Sequence, residues 1–141
     1  MNTPARPIVL LHGWGLSSKV WAPLQAQLPA ATALDLPGHG SALPAGDSLA
    51  AWAEALVAQL PDGAVLVGWS LGAQLALHIA AQHPHKAARL VLIAATPRFV
   101  QAPDWPAALP EATLADFRAD FDTAPDATQR RFTALQAMGD G

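Results

Sequence analysis

The stretch Gly68-Trp69-Ser70-Leu71-Gly72 constrains this chain more than any other. It is a G-x-S-x-G pentapeptide set directly after an apolar run, Ala64 to Val67, and directly before a helical pattern. In that context a serine stands on a tight strand-to-helix turn with its hydroxyl exposed. Such a turn crowds its neighbours. Glycines two residues either side of Ser70 omit the Cβ atoms that would meet the crossing backbone. Leu71 follows the serine, so its N–H opens the helix and can face an anion formed on a bound substrate. The bland alternative is a Gly-rich turn that merely joins a strand to a helix, and the complete strand, turn and helix context weighs against it.

Two further signals lie upstream. Pro7 to Leu11 is a short buried-strand run, and His12-Gly13-Trp14-Gly15 follows it. An H-G-x-G turn after a core strand offers a second anion-binding N–H, here that of Trp14. His12 itself reads as a brace for the loop. After the run Ala31 to Leu34 comes Asp35-Leu36-Pro37-Gly38-His39-Gly40, a third motif.

The apolar runs Ile8–Leu11, Ala31–Leu34, Ala64–Val67 and Leu90–Ile93 read as parallel strands buried on both faces. Helical patterns separate them. Ser18 is placed to cap a first helix containing Trp21, Leu24 and Leu28, with Pro23 tolerated near its first turn. Ser48 is placed to cap Leu49 to Leu60, whose stripe is Leu49, Trp52, Leu56 and Leu60. Leu71 to Gln82 ends before Pro84. This alternation predicts a parallel sheet with right-handed crossovers, and a site at the carboxyl ends of the strands, where Trp14 and Ser70 both fall. After Ile93 the prolines 97, 103, 106 and 110 change the texture, and Leu114–Phe121 and Ala127–Met138 read as helices.

Composition narrows the function. Of 141 residues, 52% are hydrophobic and 13% charged, which supplies the core of about one domain. A net charge of −3 argues against nucleic acid or a membrane surface as partner. The absence of cysteine excludes disulfides, thiol catalysis and cysteine metal sites; no motif implies a metal or another cofactor. Met1 to Pro7 carries no signal-peptide pattern, and no run of about 18 apolar residues occurs, so a soluble cytoplasmic protein is expected.

Together the three motifs resemble the α/β-hydrolase superfamily, and the resemblance implies that the third motif shapes a loop, with neither Asp35 nor His39 catalytic. Within it the sequence is most similar to the pimeloyl-acyl-carrier-protein methyl ester carboxylesterases of biotin synthesis. The carrying residues are Leu10 to Leu16, Asp35 to Gly38 and Gly68 to Gly72. Arg131-Phe132-Thr133-Ala134-Leu135-Gln136-Ala137-Met138-Gly139 also looks like that family's lid-helix motif R-F-L-A-L-Q-x-M-G. The resemblance implies an α/β-hydrolase fold in which residues 1–97 form the N-terminal part of the core and residues 98–141 begin an α-helical lid, with the family's C-terminal strands absent. It implies Ser70 as nucleophile, with Trp14, Leu71, Phe132, Thr133, Ala134, Leu135 and Gln136 around the oxyanion and acyl chain. Helix-core packing accounts equally well for Phe132 and Leu135. It also implies a carrier protein bearing the ester as partner, met by Arg130 and Arg131, and a monomer when intact. A solvated helix face is the plainer reading of that arginine pair.

A serine needs a general base, and the base an orienting carboxylate. In this superfamily both follow the serine in the chain. None of the five histidines (His12, His39, His78, His83, His85) follows a strand downstream of Ser70. The acids Asp104, Glu111, Asp116, Asp120, Asp122, Asp126 and Asp140 read as solvated charges. The triad therefore reads as incomplete and the chain as the N-terminal portion of an esterase. The alternatives are another hydrolase of the fold (a small-ester esterase, an enol-lactonase or a C–C hydrolase) or a non-catalytic fragment.

Overall fold

A computed structural model describes residues 5–138. Four strands, β1 (Ile8–Leu11), β2 (Thr32–Leu34), β3 (Ala64–Trp69) and β4 (Ala87–Ile93), form one parallel sheet in the order β2-β1-β3-β4. Between them run α1 (Ala22–Gln27), α2 (Leu49–Val57) and α3 (Leu71–Gln82). The two faces of β1 explain its unbroken apolar sequence. Val9 and Leu11 join Leu66, Leu56, Leu75, Ala76 and Ile79 on the side of α2 and α3, while Leu10 joins Trp21, Ala31 and Val67 on the other. Alternate side chains of a strand point to opposite faces, so a strand covered on both must be apolar throughout. Each fully buried leucine here is worth about 2 kcal/mol of transfer free energy.

Strand β4 departs from the expected burial. Val91, Leu92 and Ile93 are 46%, 37% and 41% exposed. Its position is the reason: β4 ends the sheet and pairs with β3 alone among the described residues. The Leu49–Leu60 stripe forms as expected at Leu56 and Leu60, both buried, but Leu49 stays exposed. Ser48 Oγ accepts the Ala51 N–H at 3.1 Å, as an N-cap does. The helix closes early, through 3₁₀-type bonds from Gln59 and Leu60 to Leu56 and Val57, because Leu60 precedes Pro61. Ser18 does not cap a helix. It opens a 3₁₀ turn, Ser18–Trp21, whose preceding residue Ser17 makes no side-chain capping bond, and the Ser18 N–H is held by Asp35 instead.

The chain separates into two compact units, residues 1–97 and 98–141. In the second, α4 (Glu111–Thr123) and α5 (Pro125–Gln136) follow a segment tied by Gln101 N–H to Leu109 O and Leu109 N–H to Phe99 O. Both helices start before their expected limits. Pro125 occupies the first turn of α5, where a missing N–H costs nothing. The rings of Phe117 and Phe132 meet edge-on at 5.8 Å, and Arg131 pairs with Asp120. Among the described residues no helix is long and apolar enough to cross a membrane.

Candidate active site

Ser70 lies between the last residue of β3 and the first of α3, at φ 54° and ψ −111°. A non-glycine residue in that region stores about 1–3 kcal/mol of strain. Hydrogen bonds on both sides hold it there. Its N–H donates to Ile93 O at 2.9 Å, and its carbonyl accepts from the N–H groups of Ala73 and Gln74 at 3.0 and 3.1 Å. The N–H groups of Leu71 and Gly72 come before these first helical bonds, so they stand at the positive end of α3.

The glycines around Ser70 mark close approaches of backbone. A Cβ on Gly72 would fall on Leu11 O and within 2.6 Å of His12 O. A Cβ on Gly68 would come within 2.5 Å of Gly72 O and 2.6 Å of Ala73 Cα. Helix α3 therefore starts in direct contact with the end of β1. That contact brings the H-G-x-G turn to the serine. A Cβ built on Gly13 would sit 3.6 Å from Ser70 Cβ and 3.5 Å from Trp69 O, ordinary van der Waals distances. Sheet register agrees: Leu11 pairs with Gly68, so both turns leave the sheet at the carboxyl ends of adjacent strands.

Behind the H-G-x-G turn is a polar network that the sequence read only as loop-shaping. The Leu36 N–H donates to His12 Nε2 at 3.0 Å, and His12 Nδ1 lies 2.7 Å from Gly13 O. The first bond makes Nε2 an acceptor, so the proton is on Nδ1 and donates to Gly13 O. His12 is fully buried, and burial pushes its pKa below the ordinary 6.5, with the Gly13 bond opposing. It is a neutral brace. Asp35 gathers the other side: its carboxylate accepts from Ser18 N–H at 2.7 Å, Ser41 N–H at 2.9 Å and Ser41 Oγ at 3.0 Å. These bonds hold its pKa well below the usual carboxylate range. His39 joins the two turns, its Nε2 accepting from Gly15 N–H at 3.0 Å. The motif D-x-P-G-x-G was the signal for these contacts, but their partners lie across the fold.

Trp14 and Leu71 are half-buried beside the elbow. Phe132 is half-buried against Phe117, and Thr133, Ala134, Leu135 and Gln136 are exposed on α5. Arg130 and Arg131 are exposed, and Arg131 is engaged by Asp120. Gly139 of the lid-like motif and Asp140 lie outside the described residues. Ser70 Oγ–H donates to no histidine among the described residues: His12 and His39 bond to the turns, and His83 bonds to Glu54 Oε1 at 2.7 Å. No group of three or more His, Asp or Glu side chains among the described residues is placed to hold a metal ion.

The sequence pattern described as "Alpha/beta hydrolase family" matches residues 8–140. A protein of Aromatoleum aromaticum named pimeloyl-(acyl-carrier protein) methyl ester esterase is 50% identical over 99% of this chain and 58% of its own length. A protein of the same name from Chromobacterium violaceum is 44% identical over 94% of this chain and 54% of its own. The chain thus spans little more than half the length of these curated relatives. The solved structure of an esterase from Exiguobacterium antarcticum superposes with a TM-score of 0.78 over 91% of this chain and 52% of that one, at 23% identity, a likeness of fold.

Proposed function

This chain belongs to the alpha/beta hydrolase family, and we propose from that premise and from its esterase-named relatives that it serves as a serine carboxylesterase for the methyl ester of pimeloyl-acyl-carrier protein. One observation carries the chemistry: Ser70 is held at φ 54° on the turn into α3, with Gly13 packed against it. In the proposed reaction Ser70 Oγ attacks the ester carbonyl while a general base takes its proton. The N–H groups of Leu71 and Trp14 bind the oxyanion. Leu71 is suited to this by its place at the helix N-terminus, and Trp14 by the turn that abuts the serine. The tetrahedral adduct expels methoxide, which leaves as methanol on taking a proton from the protonated base. Water then releases the acid from the acyl-enzyme.

The relatives' names support the substrate. On α5, Thr133, Ala134, Leu135 and Gln136, with Phe132, are proposed to meet the acyl chain; Leu135, 58% exposed, suits its methylenes. Arg130 and Arg131 are proposed to meet the acidic carrier protein. The base and its carboxylate are the parts that the described residues do not bring to Ser70.

The test compares this chain with a chimera that continues it with the remaining residues of the Aromatoleum relative. The chimera should release methanol from methyl pimeloyl-acyl-carrier protein, and Ser70→Ala should abolish that release. The chain alone should show little Ser70-dependent hydrolysis. A chimera that spares this ester but cleaves other small esters or lactones would replace the substrate assignment. One that binds without turnover would end the esterase reading.

A further inference from the structure

The contact between His39 and Gly15 assigns a task to a residue that the reaction scheme leaves unused. His39 Nε2 receives the Gly15 N–H at 3.0 Å, and His39 Nδ1 lies 3.0 Å from Pro37 O. An N–H on one side and a carbonyl on the other leave a single arrangement of protons. Nε2 must be bare, and Nδ1 must carry the hydrogen that Pro37 O accepts. The same logic fixes His12 one ring away, at a centroid distance of 5.3 Å. Two neutral imidazoles therefore grip the Gly13–Leu16 turn from below, His12 at the Gly13 carbonyl and His39 at the Gly15 amide.

The grip adds to the turn's own bonding. Its internal bond, Leu16 N–H to Gly13 O, is long at 3.4 Å, and Gly15 takes φ 77°, a region that glycine enters without cost and leaves as easily. Trp14 lies between the two gripped residues. The groups packed around His39 are set in turn. Trp52 of α2 meets its ring edge-on at 5.7 Å and is itself held by a bond from Trp52 Nε1 to Gly46 O at 3.0 Å. The nearby charge, Asp35, is engaged by Ser18 and Ser41. His39 sits on the loop after β2, 24 residues from Gly15, so the bond ties two separate turns of the fold together.

We propose that His39 is a positioning residue: as a neutral acceptor it fixes the Gly15 amide and thereby the Trp14 amide that faces the oxyanion. The consequence for catalysis rests on the esterase reading above; the clamp itself does not. Preorganised donors lose much of their effect when they can drift, and removal of one donor costs about 10²–10³ in rate in other hydrolases. A loosened donor should cost less, on the order of tenfold.

The test uses two substitutions that separate shape from acceptance. His39→Phe keeps a ring against Trp52 and removes the acceptor. His39→Gln removes the ring and supplies a carbonyl acceptor. In this chain, nitrogen NMR should find His39 unprotonated at Nε2 and protonated at Nδ1. Amide exchange at Gly15 should quicken at least tenfold in His39→Phe and recover in His39→Gln. A proton on Nε2, or unchanged Gly15 exchange in His39→Phe, overturns the clamp. In the chimera, His39→Phe should lower kcat about tenfold with KM within twofold, and His39→Gln should restore most of it. Unchanged kcat alongside lost Gly15 protection would overturn the link to the oxyanion. A chimera with no Ser70-dependent hydrolysis would sink the esterase reading, and the exchange result would still decide the clamp.

Discussion

Ser70 gives its amide hydrogen to the Ile93 carbonyl across 2.9 Å, so the serine is tied to the end of β4 as well as to the helix it begins. The bond matters because Ser70 sits at φ 54°, where an L-residue does not stay unaided. Strain of this kind persists only when the surroundings over-determine the conformation. Here the amide is fixed by one strand, the carbonyl by two helical amides, and the space by glycines.

Two substitutions at Ser70 separate its chemistry from its conformation. Ser70→Ala should keep the strain and leave stability within about 0.5 kcal/mol. Ser70→Gly should relieve it and raise stability by about 1 kcal/mol. Both should lower hydrolysis by the chimera at least about 10³-fold. Urea unfolding and an ester assay run side by side decide it; a destabilised Ser70→Gly would mean that the turn is unstrained.

Gly72→Ala should be severe. Its methyl would fall on Leu11 O and close to His12 O, and backbone cannot step aside as a side chain can. The expected loss is about 3 kcal/mol in urea unfolding. A loss under about 1 kcal/mol would show that α3 can slide away from β1.

Asp35 gives the fold a defined acid sensitivity. Its native pKa is lowered, chiefly by the backbone N–H groups of Ser18 and Ser41, from an ordinary 3.8. A carboxyl depressed on folding stabilises the native state above its unfolded pKa, and that stabilisation is lost as pH falls through 3.8 toward the native value. Asp35→Asn should cost about 2 kcal/mol at pH 7, the scale of hydrogen bonds to a charged group. The gap to the parent should narrow below about pH 4. Unfolding midpoints from pH 7 down to the lowest pH at which both proteins remain folded would show a constant gap if Asp35 were a neutral spacer.

His12 adds a second window. Burial lowers its native pKa below 6.5, so the unfolded chain takes up a proton that the native state refuses. Its stabilising effect is complete above about pH 6.5 and declines below it, with a limiting slope of about 1.4 kcal/mol per pH unit. Stability measured between pH 8 and pH 5 should show this decline. His12→Gln, which holds no titrating proton, should flatten it while lowering stability at pH 8.

What could be read from the sequence followed from local physics. β1 and α3 appear at their expected limits because apolar runs and helix stops are local signals, and Ser48 caps α2 because its partner is three residues away. The elbow was legible because its pentapeptide sits in full context. The Ser18 amide went to Asp35, 17 residues on, rather than serving a helix that Ser18 would cap, and no local pattern encodes that choice. The exposure of Val91 and Ile93 depends on which strands lie beside β4, a property of the sheet and not of the segment. His39 was visible only as a loop residue, since its bond to Gly15 joins turns that the sequence keeps apart.

The contacts of Gly68 and Gly72 have a consequence for how such a joint can vary. Gly68 faces the backbone of Gly72 and Ala73, and Gly72 faces the carbonyls of Leu11 and His12. The ends of β1 and β3 and the start of α3 thus share one clearance. Widening it for a side chain at one glycine moves a backbone that the other relies on, so substitutions there should couple and not add. The joint can therefore vary only as a unit, not as a set of independently adjustable positions.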